Sequence, residues 1–250
     1  MIPGRRGLLQ AALFAAPAIA AQSLGQPLIA PAHADTTDLV LLCDKTLGPA
    51  CVLAGAAYTA RTGVRIRVFP TTPSLLLPQL ARDVQSDILM TRVTALDQAA
   101  RDGLLLASDR AGPWRTGLVL AGREPVAASA AMDRVAVPDP TSASDIDGPT
   151  LLDRLGLHAQ SVQGVLDTES VTILLISGAA TAGVLHGTDV KANPRLGVIR
   201  TIPDAVAPPL VYAAAITRGT SRPNPQRFLN FLKSPDATSI LAAAGLESAT

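Results

Sequence analysis

Apolar and polar positions come in short alternating blocks along this chain. Leu39-Val40-Leu41-Leu42 is an apolar run of the length that forms a buried strand, and a polar loop follows from Cys43 to Pro49. The next block predicts a helix that runs to Thr62, opened by Gly48-Pro49 and closed by Gly63. Residues 64–69 form a second strand pattern, 70–74 a Pro- and Thr-rich turn, 75–84 another apolar helix, and 87–90 a third short strand. Strand-loop-helix units repeated at this spacing predict a parallel sheet whose post-strand loops gather along one edge. Three consecutive loops therefore line one crevice.

The alternation continues. Residues 93–102 read as a helix ended by Gly103, and Gly117-Leu118-Val119-Leu120-Ala121 has a buried-strand pattern within 114–123. A second βα series starts at Arg134-Val135-Ala136-Val137, with a helix over 150–157 after Gly148-Pro149. Strands at 165–167 and 182–185 flank a helix over 171–178. Residues 198–202 are β-rich; Pro203, Pro208 and Pro209 then interrupt regular structure before a strand over 210–216. Two helices, 225–232 and 234–244, close the chain, the first with Phe228, Leu229, Phe231 and Leu232 on its buried side.

The N-terminus departs from this pattern. Arg5-Arg6 precedes an apolar run of about 15 residues, shorter than the ~20 that span a bilayer as a helix. Ala32-His33-Ala34 supplies an A-x-A site before Asp35, so residues 1–34 read as a signal peptide cleaved after Ala34, with no membrane anchor. The arginine pair suits a twin-arginine signal and an ordinary secretory one alike. Export implies a periplasmic location. A formal charge of +1 without a basic block argues against nucleic acid or an acidic membrane surface as partner. In an oxidising compartment the two cysteines, Cys43 and Cys51, are expected to form a disulfide. The three histidines, His33, His158 and His186, are scattered, so neither a metal site nor a cofactor is expected.

The order and spacing of Thr46-Leu47, Thr62-Gly63-Val64, residues 72–79 and Ser86-Asp87-Ile88-Leu89-Met90-Thr91 resemble the periplasmic molybdate-binding proteins of ABC importers, within the type II solute-binding fold. The resemblance resumes at Val137-Pro138-Asp139-Pro140, at residues 182–189 and at residues 208–215. It implies an α/β, two-lobed periplasmic-binding-protein-like fold with a hinge and a ligand cleft between the lobes. Lobe 1 would comprise 35–117 and 213–250, and lobe 2 would comprise 118–212, with hinge crossings near 118–121 and 208–213. Such lobes close on ligand by a hinge rotation.

In that family the oxyanion is held by hydroxyls and by backbone N–H groups at helix N-termini, without a countercharge. Position by position, Thr46 matches a serine of the first loop. Pro73 falls where the family has a serine and offers neither donor, leaving Thr72 and Ser74 beside it. Arg92 stands where a small residue is usual, the loop with Ser144 and Asp145 replaces a neutral donor loop, and His186 takes the place of a tyrosine. Adding Lys45 gives the implied ligand-binding set: Lys45, Thr46, Thr72, Ser74, Arg92, Ser144, Asp145 and His186. Other roles stay open for each of them. Lys45 suits a solvated loop, Arg92 a pair with Asp97 or Asp44, Asp145 and Asp147 helix capping, and the hydroxyl residues capping as well.

Charged side chains in place of neutral donors imply an altered preference: a different anion, or a zwitterion whose carboxylate meets Arg92 or Lys45 and whose cationic end meets Asp145. The leading expectation is a monomeric receptor that delivers a small anionic or zwitterionic ligand to an ABC permease. The alternative is a periplasmic accessory or sensory protein that reuses the fold. A cysteine hydrolase built on Cys43 and His186 lacks any nucleophile elbow or metal box, and the reading is that the chain is not an enzyme.

Overall fold

The computed structural model describes residues 38–82, 85–106, 110–126, 132–139, 146–220 and 224–249; the expected signal peptide and the loop carrying Ser144 and Asp145 lie outside them. The first three strand-loop-helix units are β1 (Leu39–Asp44), a 3-10 turn (Lys45–Leu47), α1 (Gly48–Thr62), β2 (Ile66–Thr71), α2 (Pro73–Ala81), β3 (Ile88–Arg92) and α3 (Val93–Arg101). They are followed by β4 (Ala111–Thr116), β5 (Leu118–Arg123), β6 (Arg134–Pro138), α4 (Gly148–Arg154), β7 (Ser161–Val165), α5 (Thr168–Ser177), β8 (Ala182–His186), α6 (Gly187–Ala192) and β9 (Leu196–Thr201). The chain ends with β10 (Leu210–Ile216), α7 (Pro225–Leu232), α8 (Pro235–Ala243) and the short β11 (Glu247–Ser248).

These strands form two mixed sheets, ordered β11-β4-β10-β3-β1-β2 and β7-β6-β8-β5-β9. In the first, β2, β1 and β3 are parallel, so their carboxyl ends share an edge, while β10 runs antiparallel beside β3 and pairs Tyr212 with Arg92. In the second, β7, β6 and β8 are parallel and β5 returns antiparallel beside β8, pairing Leu118 with His186. The chain crosses between the sheets at Gly117, between β4 and β5, and again between β9 and β10. Each parallel set thus presents its post-strand loops at one edge, which is where a ligand site forms in sheets of this kind.

Helices cover both faces of each sheet, which is why the parallel strands read as continuous apolar runs instead of alternating ones. Alternate residues of β1 enter different cores: Leu39, Leu41 and Cys43 pack with α1, α7 and α8, whereas Leu42 packs with α2 and α3. The same division repeats in β10, where Tyr212, Ala214 and Ile216 face one core and Ala213 and Ala215 the other. In the second sheet Val135 and Val137 face the α4 side and Ala136 the α5 side. Space there is tight: a Cβ on Gly183 of β8 would lie 2.4 Å from Val171 Cγ1.

The structure departs from the sequence expectations at several points. The run over 114–123 is two strands broken at Gly117, the strand expected at 165–167 ends at Val165, and α2 begins at Pro73. The short α6 and β4 are additions. The expected Cys43–Cys51 disulfide is not formed: both residues are free, buried thiols in the same apolar core. The Cys51 thiol donates to Met90 Sδ at 3.6 Å. Its hydrogen bond with Cys43, and then burial, push its pKa well above the ordinary thiol range.

Candidate functional site

Loops from both sheets surround a cavity of about 110 Å³. On the first sheet, β1 ends at Asp44, whose carboxylate accepts from the Thr46 N–H at 3.1 Å and so caps the turn that carries Lys45 and Thr46. Thr72 stands at the N-cap of α2 without a side-chain hydrogen bond to that helix, and Pro73 occupies its first turn. Arg92, the last residue of β3, places Nε 4.0 Å from Asp44 Oδ2. On the second sheet, Asp167 caps α5 and His186 ends β8. Of the residues singled out in the sequence, Lys45, Thr46, Thr72, Arg92 and His186 line this one cavity. Ser74 is exposed on α2 and does not line it, and Ser144 and Asp145 lie outside the described residues. Of the alternative roles, Asp97 pairs with Arg110, and Asp147 caps α4 through the Thr150 N–H.

Asp167, Thr168 and Tyr212 also line the cavity, with Leu166 and Leu210 on its apolar side. Sequence reasoning passed over them. Tyr212 was hidden in an apolar strand run, where nothing local separates an aromatic core residue from one whose hydroxyl meets a ligand. Asp167 carried a usable signal, since an Asp between a strand pattern and a helix pattern marks a post-strand cap at the sheet edge.

The electrostatics combine ionised pairs with buried polar atoms. Lys45 Nζ lies 2.5 Å from Asp167 Oδ2, joining the loops of the two sheets. Burial works to raise Asp167, but the Lys45 ammonium and the Ser170 N–H and hydroxyl outweigh it and hold the carboxyl below its ordinary range. Asp44 is 1% exposed; burial pushes its carboxyl up, against the opposing pull of the Thr46 N–H and the Arg92 guanidinium. Burial pushes His186 down, although Asp189 and Asp44 favour its cation, and it pushes the Tyr212 hydroxyl up. Asp44 Oδ2, His186 Nδ1 and the Tyr212 hydroxyl are buried without a hydrogen-bond partner; Tyr212 is beside Thr46 but outside bonding geometry. A buried polar atom left unpaired costs about 1–3 kcal/mol. Of these three residues, His186 and Tyr212 line the cavity, where a polar ligand can reach them.

Some of the backbone donors at the helix starts around the cavity are already taken, while α3, which follows Arg92, starts without a side-chain cap. Asp44 takes the Thr46 N–H, Asp167 takes the Ser170 N–H at 2.9 Å, and Asp189 takes the His186 N–H at 3.0 Å. Pro73 has no N–H to give. The side chains lining the cavity add the Arg92 and Lys45 cations, which face Asp44 and Asp167, and the hydroxyls of Thr46, Thr72 and Tyr212. Cys43 is fully buried in the core and has no access to the cavity, which removes the nucleophile from the hydrolase alternative. Among the described residues no cluster of His, Cys, Asp or Glu is placed to hold a metal ion. No helix among them is long and apolar enough to cross a membrane.

Comparison with known proteins agrees with this architecture. The periplasmic molybdate-binding protein of Azotobacter vinelandii superposes with a TM-score of 0.71 at 17% identity, covering 85% of this chain and 100% of that one. PEB3 with bound L-phospholactate gives 0.62 at 18% identity, covering 85% and 100%. Identities this low show the fold alone. An aconitate isomerase from a Pseudomonas species is 25% identical over 242 residues, covering 88% of this chain and 91% of its relative. A family model described as bacterial extracellular solute-binding protein matches residues 39–247, and the chain belongs to that family.

Proposed function

We propose that the protein is a periplasmic receptor that captures a small organic carboxylate between its two sheets and passes it to an ABC permease. The observation that carries this reading is the replacement of backbone donors by side-chain donors around the cavity. A dry oxyanion site depends on unpaired N–H groups at helix starts. Here the carboxylates of Asp44, Asp167 and Asp189 each take one N–H at a turn or helix start, and α2 has Pro73 in its first turn. A guanidinium suits a planar carboxylate, which it can meet with two parallel N–H bonds. The hydroxyls of Thr72 and Tyr212 complete a site for a monoanion better than for a tetrahedral dianion. The relatives fit a fold whose ligand varies, since molybdate and L-phospholactate appear in the names of two of them.

Titration calorimetry against molybdate, phosphate and a panel of mono-, di- and tricarboxylates tests the proposal. Saturable one-to-one binding of a carboxylate, with molybdate weaker by at least tenfold, is the expected result. Tight stoichiometric molybdate binding would reject it.

The aconitate isomerase relative favours a second reading, in which the same site moves a proton on a bound unsaturated carboxylate. His186 and Tyr212 are buried side chains at the cavity able to exchange a proton. Proton NMR of trans-aconitate with the protein in deuterated water separates the two readings. A receptor leaves the ligand unchanged; an isomerase converts it with uptake of deuterium.

A further inference from the structure

A second cavity, of about 240 Å³, adjoins the first and shares His186 and Leu210 with it. Its walls are apolar: Leu118 from β5, Ile146 and Leu151 around the start of α4, and Val206, Ala207 and Pro208 from the crossing segment. Asp147 and Arg154 at its rim are already engaged. Asp147 caps α4 by accepting from the Thr150 N–H at 3.1 Å, and the Arg154 guanidinium donates to the Val206 carbonyl at 3.4 Å. The two cavities therefore differ in kind, one supplying charged and hydroxyl donors and the other hydrocarbon, with His186 at the junction.

We infer that the second cavity is the subsite for the body of the ligand, and that the ligand is an amphipathic organic acid with its carboxylate among Lys45, Thr46 and Arg92 and a hydrocarbon chain reaching past His186. The inference rests on the carboxylate reading above and adds to it the chemical class of the remainder of the molecule. Inorganic oxyanions leave the larger cavity unfilled, and so do carboxylates with one or two carbons. The physical expectation is that affinity grows with chain length. Each buried methylene contributes about 0.8 kcal/mol, which is roughly a fourfold gain in affinity.

Titration of the full chain with acetate, butanoate and hexanoate at one pH provides the test. The expected result is a dissociation constant that falls by about fourfold per methylene. The slope should flatten or reverse in Ala207→Asp, which puts a carboxylate into the apolar cavity. A series that binds with no dependence on length overturns the subsite and leaves the carboxylate reading standing. The subsite is likewise overturned if the whole series fails while a polycarboxylate binds. Failure of every carboxylate to bind overturns both.

Discussion

Asp44 serves two ends that conflict: it caps the turn carrying Thr46, and it lies almost wholly out of water. Because burial raises its pKa, the folded chain holds that proton more tightly than the unfolded chain. Stability is therefore given up as pH rises through the ordinary carboxylate range toward the raised value. Asp44→Asn keeps an acceptor for the Thr46 N–H and removes the charge. Its melting temperature is expected to exceed the parent's at pH 7, with the gap closing toward pH 4; a gap independent of pH would contradict this. His186 titrates with the opposite consequence. Its depressed pKa makes the unfolded chain the stronger proton binder below the ordinary value of 6.5, so stability is lost as pH falls through that range. His186→Gln should flatten the stability profile there, as read by thermal melts between pH 7 and 5. Lys45, Thr46, Thr72, Arg92 and His186 line the cavity, and the family resemblance is what brought most of them together from the sequence. Ser74 sits on α2, where one step along a helix turns a side chain by about 100°, and it is exposed instead of lining the cavity.

Helix starts decide what the cavity can bind. Pro73 gives α2 a rigid first turn and withdraws one N–H from the edge of the first sheet. Pro73→Ser restores that donor and adds a hydroxyl. Calorimetry should then show phosphate or molybdate binding gained by about tenfold, the worth of one hydrogen bond to a charged group; no gain would mean that this turn does not face the ligand. In the second sheet, β8 relies on a glycine where α5 crosses it. Gly183→Ala sets a methyl against Val171 and should destabilise the fold by about 1–3 kcal/mol in urea unfolding. Elements with strong period or flanking Gly and Pro were readable from the sequence: β1, α1, β3, β8 and α7 stand where the pattern put them. β4 was not, since Ala111-Gly112-Pro113-Trp114 offers no alternation and its pairing with β10 is set by residues about a hundred positions away. The short α6 was missed because six residues carry too little periodicity to distinguish a helix from a loop.

At the scale of the whole molecule, two sheets present their loop edges to each other, and the Lys45–Asp167 pair joins those edges over the cavity. An anionic ligand competes with Asp167 for Lys45. Asp167→Asn retains the capping oxygen of α5 and removes that competition, so carboxylate affinity is expected to rise severalfold while stability changes by only about 1 kcal/mol. Unchanged affinity would show that Lys45 stays outside the ligand's reach. The two-sheet architecture was legible because the βα alternation occurs twice with Pro-rich or Gly-marked crossings between the series. The link between Lys45 and Asp167, 122 positions apart, was not, since nothing local in either loop records the other. The nature of the guest is the central claim, and native mass spectrometry of the protein purified from the cells that make it reads it directly. The expected spectrum shows a one-to-one adduct with the mass of an organic acid, absent from Arg92→Ala. An adduct with the mass of molybdate, or an organic adduct retained in full by Arg92→Ala, would contradict the account.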